Sequence, residues 1–197
     1  MKTIIGLGIF IFTANVFAQA DLPELAKVKA AAESGDAAAQ EKLAEQFQNH
    51  GDPAQAINWY RKAAVRNSIG AQSKLGNLLL IRYEMHVDDA KPQVRAQIGG
   101  EAYKWISQAA NEGDRASQVQ MAKLYFDGFL VQKNLIVAYK WAELAARGSQ
   151  NDSIAFDGKT IRDAAILKLT TAQIEEARKL ADNFKIIPIT NAPVVKK

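Results

Sequence analysis

Cysteine is absent from this chain, histidine occurs only twice, and its 197 residues include five prolines and 12 glycines. The lack of cysteine excludes a disulfide framework, thiolate metal ligands and a cysteine nucleophile. The low proline and glycine content argues against a collagen-like or disordered chain. Lysine and arginine together number 25 and aspartate and glutamate 21, for a net charge of +4. Because the basic residues are dispersed, the sequence gives no indication of nucleic-acid binding.

The longest apolar run lies at the N-terminus. Lys2 precedes the apolar residues 4–12, and Ala18-Gln19-Ala20 is a small-x-small cleavage site. These are the parts of a secretory signal peptide, so residues 1–20 are predicted to be removed after Ala20. The alternative is an uncleaved anchor, although the apolar core is short for a span of about 20 residues. We therefore expect a mature chain in the periplasm or secreted, with no membrane contact after cleavage.

All three tryptophans lie in one recurring pattern. Trp59, Trp105 and Trp141 each follow an alanine by three residues and precede an alanine pair by four and five residues. These offsets fall on one face of an α-helix. Small alanines beside a large indole allow the helix to pack closely against its neighbours. The residues predicted to hold the repeat together are Trp59, Trp105, Trp141, Ala64, Ala110 and Ala146.

A second helical pattern precedes each tryptophan helix. It opens at Gly35-Asp36, at Asn67-Ser68 and at Gly113-Asp114. Aspartate and serine are good N-caps, and a preceding glycine or asparagine can end the previous helix. The unit is helix A, loop, helix B and tight turn, in three copies at residues 35–66, 67–112 and 113–148. Units of this length predict an all-α solenoid of helix-turn-helix repeats.

The segments on either side of the repeats are expected to close the stack. Residues 21–34 predict an N-terminal capping helix. Residues 149–184 predict a degenerate repeat with C-terminal capping helices: a polar loop over 149–158, a short helix over 161–169, and a helix opened by a capping box at Thr170. Residues 185–197 contain two prolines and no periodicity, which predicts an extended tail.

The second unit is longer than the other two, and its excess falls between the two helices. Residues 75–105 of this unit correspond to residues 43–59 of the first. A long charged loop is therefore predicted over residues 83–97, with Gly99-Gly100 just before helix B. Long loops in compact folds are often functional, and the alternative is a tolerated surface insertion.

Few residues could carry chemistry. His50 lies at the end of a predicted helix, where histidine suits the helix C-terminus. His86, beside Asp88 and Asp89, could orient a general base or contribute metal ligands. However, the sequence offers no third ligand at helical spacing and no nucleophile or phosphate-loop motif. We therefore expect a non-enzymatic protein without cofactor or metal.

The third unit resembles the Sel-one-like repeat (SLR) family, a relative of the tetratricopeptide repeat (TPR). The resemblance is carried by Leu124, Tyr125, Gly128, Val131, Asn134, Ala138, Trp141 and the alanine pair that ends at Ala146. Leu130 stands where the family usually has a second glycine, and Asn134 where it usually has aspartate. The resemblance implies a right-handed superhelix of helix pairs that binds other proteins. It also implies that the A helices line the concave face.

On that resemblance, we predict which positions of each A helix face a partner. They lie two residues before, and two and five residues after, the buried Leu43, Leu75 and Met121. The predicted partner-binding residues are Glu41, Glu45, Gln48, Ser73, Asn77, Leu80, Val119, Lys123 and Phe126. The groove would change from acidic at the first repeat to apolar at the last, where apolar anchors would dominate binding. The alternative is that these residues pack against neighbouring A helices.

The leading hypothesis is an exported, non-enzymatic scaffold that binds another protein. A narrower alternative is a periplasmic immunity protein that neutralises an antibacterial, lipase-type effector. Further alternatives are an envelope hydrolase and a factor that organises envelope proteins. The sequence does not name the partner, which could be a toxin effector or an envelope protein.

Overall fold

The structure is a computed structural model that describes residues 22–85, 91–148 and 152–186. These residues form nine α-helices and no strand. The helices are α1 (Leu22–Ser34), α2 (Ala37–Asn49), α3 (Pro53–Ala64), α4 (Ile69–Met85), α5 (Pro92–Asn111), α6 (Arg115–Asp127), α7 (Leu135–Ala146), α8 (Ser153–Ile166) and α9 (Thr171–Asp182). The predicted signal peptide and most of the predicted tail lie outside the described residues.

The helices are arranged in two layers. Helices α2, α4, α6 and α8 make the A layer, in which Ser73 of α4 donates a hydrogen bond to Asp114 at the start of α6 (2.8 Å). Helices α1, α3, α5, α7 and α9 make the B layer, in which Arg61 of α3 pairs with Glu101 of α5 (2.7 Å). Each of α1, α3, α5 and α7 packs against the A helix that follows it, and α9 packs chiefly against α7. The chain is an all-α solenoid of helical hairpins, as predicted; its right-handed sense stays a prediction.

Helices α1, α3 and α5 of the B layer are each followed by a left-handed residue and then an N-cap. Gly35, Asn67 and Gly113 have φ values of 101°, 66° and 94°. Glycine adopts this conformation without steric cost, and asparagine tolerates it better than most residues. Asp36 and Asp114 then accept hydrogen bonds from the backbone N–H three residues later, at 2.7 Å in both cases. These turns reverse the chain within a few residues and bring consecutive helices side by side.

A buried glutamine in each of α2, α4 and α6 bonds to the preceding B helix. Gln40, Gln72 and Gln118 lie four residues after the N-cap, and each is at most 4% exposed. The side-chain amides donate to the backbone carbonyls of Ala32 (2.9 Å), Ala64 (3.4 Å) and Ala110 (3.2 Å). These residues were not predicted from the sequence, although glutamine recurs at this position in all three units. The three bonds also show that α1 occupies a B-helix position before the first repeat.

The three tryptophans occupy the same position in α3, α5 and α7, but their surroundings differ. Trp105 and Trp141 are 5% and 4% exposed, whereas Trp59 is only half-buried. A lysine ammonium lies over each indole, and for Trp59 it is Lys62 at 3.6 Å. The paired alanines that end at Ala64, Ala110 and Ala146 are all buried. Trp59 is therefore the least buried of the three tryptophans.

The second hairpin has longer helices than its neighbours, and the long loop predicted over residues 83–97 is wrong for residues 83–85 and 92–97, which are helical. Helix α4 has 17 residues where α2 and α6 have 13, and α5 has 20 where α3 and α7 have 12. The insertion is helical up to Met85 and from Pro92, because the apolar spacing of both helices continues past the expected ends. Gly99 lies inside α5 rather than before it. His86, Asp88 and Asp89 lie outside the described residues.

The base of the projecting hairpin packs against the A–B loop of the third repeat. Tyr83 meets Phe129 edge-to-face, with ring centroids 5.4 Å apart. Leu130 has a φ of 63°, a conformation that costs a residue with a β-carbon about 1–2 kcal/mol. A β-carbon on Gly99 would lie 2.7 Å from the Leu130 side chain. The missing β-carbon of Gly99 therefore makes room for the leucine that replaces the usual loop glycine.

Helix α8 begins earlier than predicted, so the polar loop expected over residues 149–158 is wrong beyond residue 152. Asp152 caps the helix by accepting a hydrogen bond from Ile154 N at 2.9 Å. Gly158, which suggested a loop, is buried where α8 crosses α7. A β-carbon there would lie 2.7 Å from the carbonyl oxygen of Ala142 and 2.8 Å from the nitrogen of Ala146. The glycine permits a close backbone approach rather than a turn.

The chain turns back along the B layer after α9. Phe184 packs edge-to-face on Trp141, with centroids 5.5 Å apart. Ile186 approaches Gly113, where a β-carbon would lie 3.0 Å from its side chain. The predicted capping box at Thr170 is present, since its hydroxyl accepts from Gln173 N and its own N–H donates to the Gln173 side chain. Residues 187–197 of the predicted tail lie outside the described residues.

Substituting Gly158 with alanine should destabilise the fold, because the new methyl would collide with the α7 backbone, which cannot rotate away. We expect the free energy of unfolding to fall by about 1–3 kcal/mol in urea denaturation. Gly100→Ala is the matched control, since a β-carbon at that helical position would meet nothing within 4 Å. The control should gain about 0.5–1 kcal/mol. Equal effects of the two substitutions would contradict the close crossing.

Candidate functional site

The nine side chains predicted to line the groove all belong to A-layer helices. We define the A face as the surface of α2, α4 and α6 that carries Gln48, Asn77 and Lys123. Gln48, Asn77 and Lys123 are exposed; Glu41, Glu45, Ser73 and Phe126 are half-buried; Leu80 and Val119 are buried. The structure thus brings the polar members together on one surface and buries two of the three predicted apolar anchors, Leu80 and Val119.

The first part of the A face is a cluster of two acids and a lysine. The Lys74 ammonium of α4 pairs with Glu41 at 2.8 Å and with Glu45, both on α2. Ser68, the N-cap of α4, donates to the other Glu41 oxygen. Beneath the cluster, the fully buried Tyr60 donates its hydroxyl to Gln48 at 2.9 Å. The cluster joins the first two repeats and offers solvent both a cation and carboxylate oxygens.

These contacts shift the pKa values of the cluster. Burial by itself would raise the pKa of Glu41, but hydrogen bonds from Lys74 and Ser68 outweigh it and hold the pKa below its ordinary value. Burial would lower the pKa of Lys74, but its bonds to Glu41 and Glu45 raise it. Burial raises the pKa of Tyr60 to about 12. At neutral pH the lysine and Glu41 are therefore charged and the phenol is neutral.

The middle of the A face is a polar ladder between α4 and α6. Ser117 donates to the Ser73 hydroxyl at 2.9 Å, and Ser73 donates to Asp114. Further along, the Gln120 amide donates to the exposed Asn77 at 3.4 Å. Amide and hydroxyl groups with spare donors and acceptors can bond to a partner without first losing a buried contact. This stretch is suited to hydrogen bonding rather than to apolar anchoring.

The last part of the A face is a cavity of about 290 Å³ between the C-terminal ends of α4 and α6. Charged side chains of both signs border it, and Leu80, Leu124 and Phe129 form its apolar part. The lining residues are Leu80, Glu84, Gln120, Lys123, Leu124, Asp127 and Phe129. Only Lys123 and Leu80 of these were predicted, because the cavity depends on the long α4 and on the loop that follows α6.

The predicted change from acidic to apolar along the groove is wrong. Val119 is 5% exposed, and it occupies the helical position of Glu41 and Ser73, whose side chains contact the next A-layer helix. Leu80 is 6% exposed within the main core. Phe126 is half-buried against Tyr139 and two alanines. Val119 and Leu80 therefore pack inside the protein instead of facing a partner. This agrees with the alternative given in the sequence analysis, that the predicted residues pack within the stack.

The described part of the chain contains no group of three or more His, Asp or Glu side chains that could hold a metal ion. His50 is the C-cap of α2, and its Nδ1 lies 2.6 Å from the carbonyl oxygen of Gln46. It therefore sits at a helix C-terminus, as expected. Among the described helices, none is both long and apolar enough to cross a membrane.

The family model of the Sel1 repeat matches residues 37–67, 99–114 and 115–149. Sel1 repeats are therefore present in this chain. The unmatched stretch between residues 67 and 99 contains α4 and the projecting part of the second hairpin, where the unit departs most from the family pattern. Sel1-repeat proteins generally mediate protein–protein interactions, and the family is typically non-catalytic.

Two solved structures share the Sel1-repeat fold with this chain. One is a protective antigen present in uropathogenic Escherichia coli strains that displays an SLR fold: it is 29% identical over 81% of this chain, with a TM-score of 0.67. This chain spans only 32% of that protein's length. The other is a Sel1 repeat protein from Oxalobacter formigenes, 27% identical over 71% of this chain and 98% of its own, with a TM-score of 0.53. A search of curated proteins gave no match.

Replacing Lys74 with methionine should weaken the contact between the first two repeats. The free energy of unfolding should then fall less steeply as the pH is lowered. The folded-state pKa of Glu41 lies below its ordinary value of 4.5. Its stabilising contribution is therefore present at neutral pH and is lost as the pH falls through that lowered pKa. Since the cluster is partly exposed, we expect a loss of about 0.5–1 kcal/mol at pH 7.

The measurement is urea denaturation of the wild type and of Lys74→Met from pH 7 to pH 3. The difference between the two proteins should shrink toward the acid end. Lys123→Met, which removes an exposed lysine from the same face, is the control and should leave the pH profile unchanged. A difference that stays constant with pH would show that Glu41 is not stabilised by Lys74.

Proposed function

We propose that this Sel1-repeat protein is an exported, non-enzymatic scaffold that binds a partner protein through its A face. The observation that carries the proposal is the A face itself. Side chains from three successive repeats present hydrogen-bonding and charged groups on one surface, held in place by contacts between neighbouring A helices. Gln48, Asn77 and Lys123 are the exposed predicted residues on that surface.

The rigidity of the surface supports binding. Glu41, Ser73 and Asp114 are all held by bonds that cross from one A helix to the next. A surface that is ordered before association loses little side-chain entropy when a partner docks. The mixed charges favour a partner with a polar, charge-complementary surface rather than a purely apolar helix. Lys74, Lys123 and the carboxylates beside them would set its orientation.

The N-terminal pattern of the sequence supports the proposed export. The basic Lys2, the apolar residues 4–12 and the small residues that end at Ala20 match a signal peptide. We propose that the mature protein starts at Asp21 and acts in the periplasm or outside the cell. In that setting the partner is a host envelope protein or a protein from another cell.

The projecting hairpin favours a second candidate, a periplasmic immunity protein that binds a lipase-type effector. Helices α4 and α5 extend past the neighbouring hairpins, and Met85 near the tip is 77% exposed. Val94, on the first turns of α5, is 43% exposed. A protruding element with exposed apolar side chains can enter a cleft of another protein. Protection of cells against an effector, lost in Met85→Asp, would support this candidate; protection by the variant would count against it.

Changing the charges on the A face should abolish partner binding without unfolding the protein. We expect Asn77→Arg combined with Lys123→Glu to keep the wild-type melting temperature, because both side chains are exposed. Partners captured from a periplasmic extract should be lost, with affinity reduced at least tenfold, about 1.4 kcal/mol, once a partner is purified. Glu176→Lys on α9 is the control with an exposed charge reversed elsewhere. Loss of the same partner by the control would argue against the A face.

Export and cleavage can be tested on the full-length protein. We expect mass spectrometry of the periplasmic form to give an N-terminus at Asp21, because cleavage requires small residues at positions 18 and 20. Substituting Ala20 with lysine should block cleavage and leave the apolar run attached. A periplasmic protein that retained Met1, or a protein confined to the cytoplasm, would contradict the proposal.

A further inference from the structure

The three equivalent seams of the B layer are filled in different ways. We define a seam as the place where a B helix meets the A and B helices that follow it: α1 with α2 and α3, α3 with α4 and α5, and α5 with α6 and α7. Each seam contains one residue of the earlier B helix, one of the A helix and the tryptophan of the later B helix. These sets are Leu25, Phe47 and Trp59; Ile57, Leu79 and Trp105; and Tyr103, Tyr125 and Trp141.

The second seam is closed by packing and by an ion pair. Ile57, Leu79 and Trp105 are all at most 5% exposed. Arg61 of α3 contacts both carboxylate oxygens of Glu101 at 2.7 and 3.0 Å, and the Trp105 indole donates to Glu101 at 3.3 Å. Buried apolar side chains and an ion pair therefore fill this seam.

The third seam is closed by aromatic side chains. The hydroxyls of Tyr103 and Tyr125 lie 2.9 Å apart. Phe184, from the segment after α9, packs edge-to-face on Trp141. The third seam therefore accepts an aromatic ring beside its tryptophan, and that ring comes from the segment after α9.

The first seam is open. Lys29 and Gln55 stand at the positions of Arg61 and Glu101, so no ion pair can form across it, and Leu25 is smaller than Tyr103. A pocket of about 320 Å³ remains beside the half-buried Trp59. Its lining residues are Leu25, Lys29, Leu43, Gln46, Phe47, His50, Asp52 and Trp59. A pocket of this size with an apolar floor and a few polar groups is typical of ligand sites.

The charges at the rim indicate the kind of ligand. The Asp52 carboxylate accepts a hydrogen bond from Gln55 N at 3.0 Å as the N-cap of α3. The Lys29 side chain also lines the pocket, and it is the only lysine among the lining residues. Because Asp52 is already engaged as an N-cap, Lys29 is left to attract an acidic partner. An aromatic residue flanked by acidic residues would place its ring against the indole and a carboxylate near Lys29.

We propose that the open first seam is a second binding site, which takes an aromatic side chain from an acidic stretch of a partner protein. This site lies at the N-terminal end of the B layer and is separate from the A face. The inference rests on the proposed function only in that the aromatic side chain belongs to a protein partner.

The test uses the full mature protein and three short peptides: acetyl-Asp-Phe-Glu-amide, acetyl-Asp-Ala-Glu-amide and acetyl-Lys-Phe-Lys-amide. Trp59 is the most exposed tryptophan, so protection of tryptophan fluorescence from acrylamide quenching reports on the pocket; Trp59→Phe should remove that signal. We expect saturable binding of the acidic phenylalanine peptide with a dissociation constant on the order of 1 mM. The alanine and the basic peptides should bind at least tenfold more weakly.

Two variants separate this site from a general surface effect. Leu25→Tyr copies the residue of the third seam, so it should fill the pocket, raise the melting temperature and weaken binding of the acidic peptide at least tenfold. Lys29→Glu lies at the exposed rim and should reverse the preference between the acidic and basic peptides. Equal binding of the alanine and phenylalanine peptides, or binding unchanged by both variants, would overturn the proposal.

The C-terminal residues 187–197 of the same chain are a competing occupant of the pocket. If they filled it, Ile187→Asp with Ile189→Asp in the full chain would make Trp59 more accessible to acrylamide, and the proposal would fail. We expect the accessibility of Trp59 to stay unchanged in this variant.

The proposals for the first seam and for the A face can be rejected independently of each other. Loss of partner capture in the A-face variant, with peptide binding intact, would support both sites. Retained capture in that variant, together with peptide binding at the first seam, would reject the A face alone.

Discussion

The solenoid depends on how closely neighbouring helices approach at their small residues. A β-carbon on Gly76 of α4 would lie 3.0 Å from the backbone nitrogen of Ile106, and one on Gly158 would lie even nearer the backbone of α7. Fully buried alanines line the remaining crossings. Because the helices approach closely, each buried glutamine reaches a backbone carbonyl at the end of the preceding B helix. The same close approach places the tryptophans between helices. Larger side chains at these crossings would separate the hairpins and break both kinds of contact.

This repeated geometry explains why the differences between repeats matter more than their likeness. The glutamine bonds and alanine crossings are nearly the same in every unit, so they build the stack without distinguishing one part of it from another. The repeats differ from one another where they depart from the pattern. These differences are the acid–lysine cluster between the first two repeats, the helical extension of the second repeat, and the packing of Leu130 against Gly99. The seams follow the same rule, since an ion pair closes one, aromatic rings close another, and the first remains open.

Three surface features of the molecule are suited to different contacts. The A face is polar and held by hydrogen bonds between repeats, which favours orientation and charge matching. The first seam offers an indole and an apolar floor at one end of the B layer, which favours a single inserted ring. The projecting second hairpin is a third, apolar feature. A scaffold with separated surfaces of this kind can hold one partner at several points, and affinity then exceeds that of each contact alone.

The sequence by itself determined the helical period, the capped turns, the three-unit repeat and the position of each tryptophan, because these depend on residues close together in the chain. The lengths of α4, α5 and α8 were misjudged, since Pro92, Gly99 and Gly158 suggest a break locally but serve as a helix start and as close crossings once a neighbouring helix is present. The burial of Leu80 and Val119, the cavity between α4 and α6, and the open seam at Trp59 were decided only by tertiary structure. Each depends on which side chain of another helix fills the space, and spacing along the chain carries no record of that.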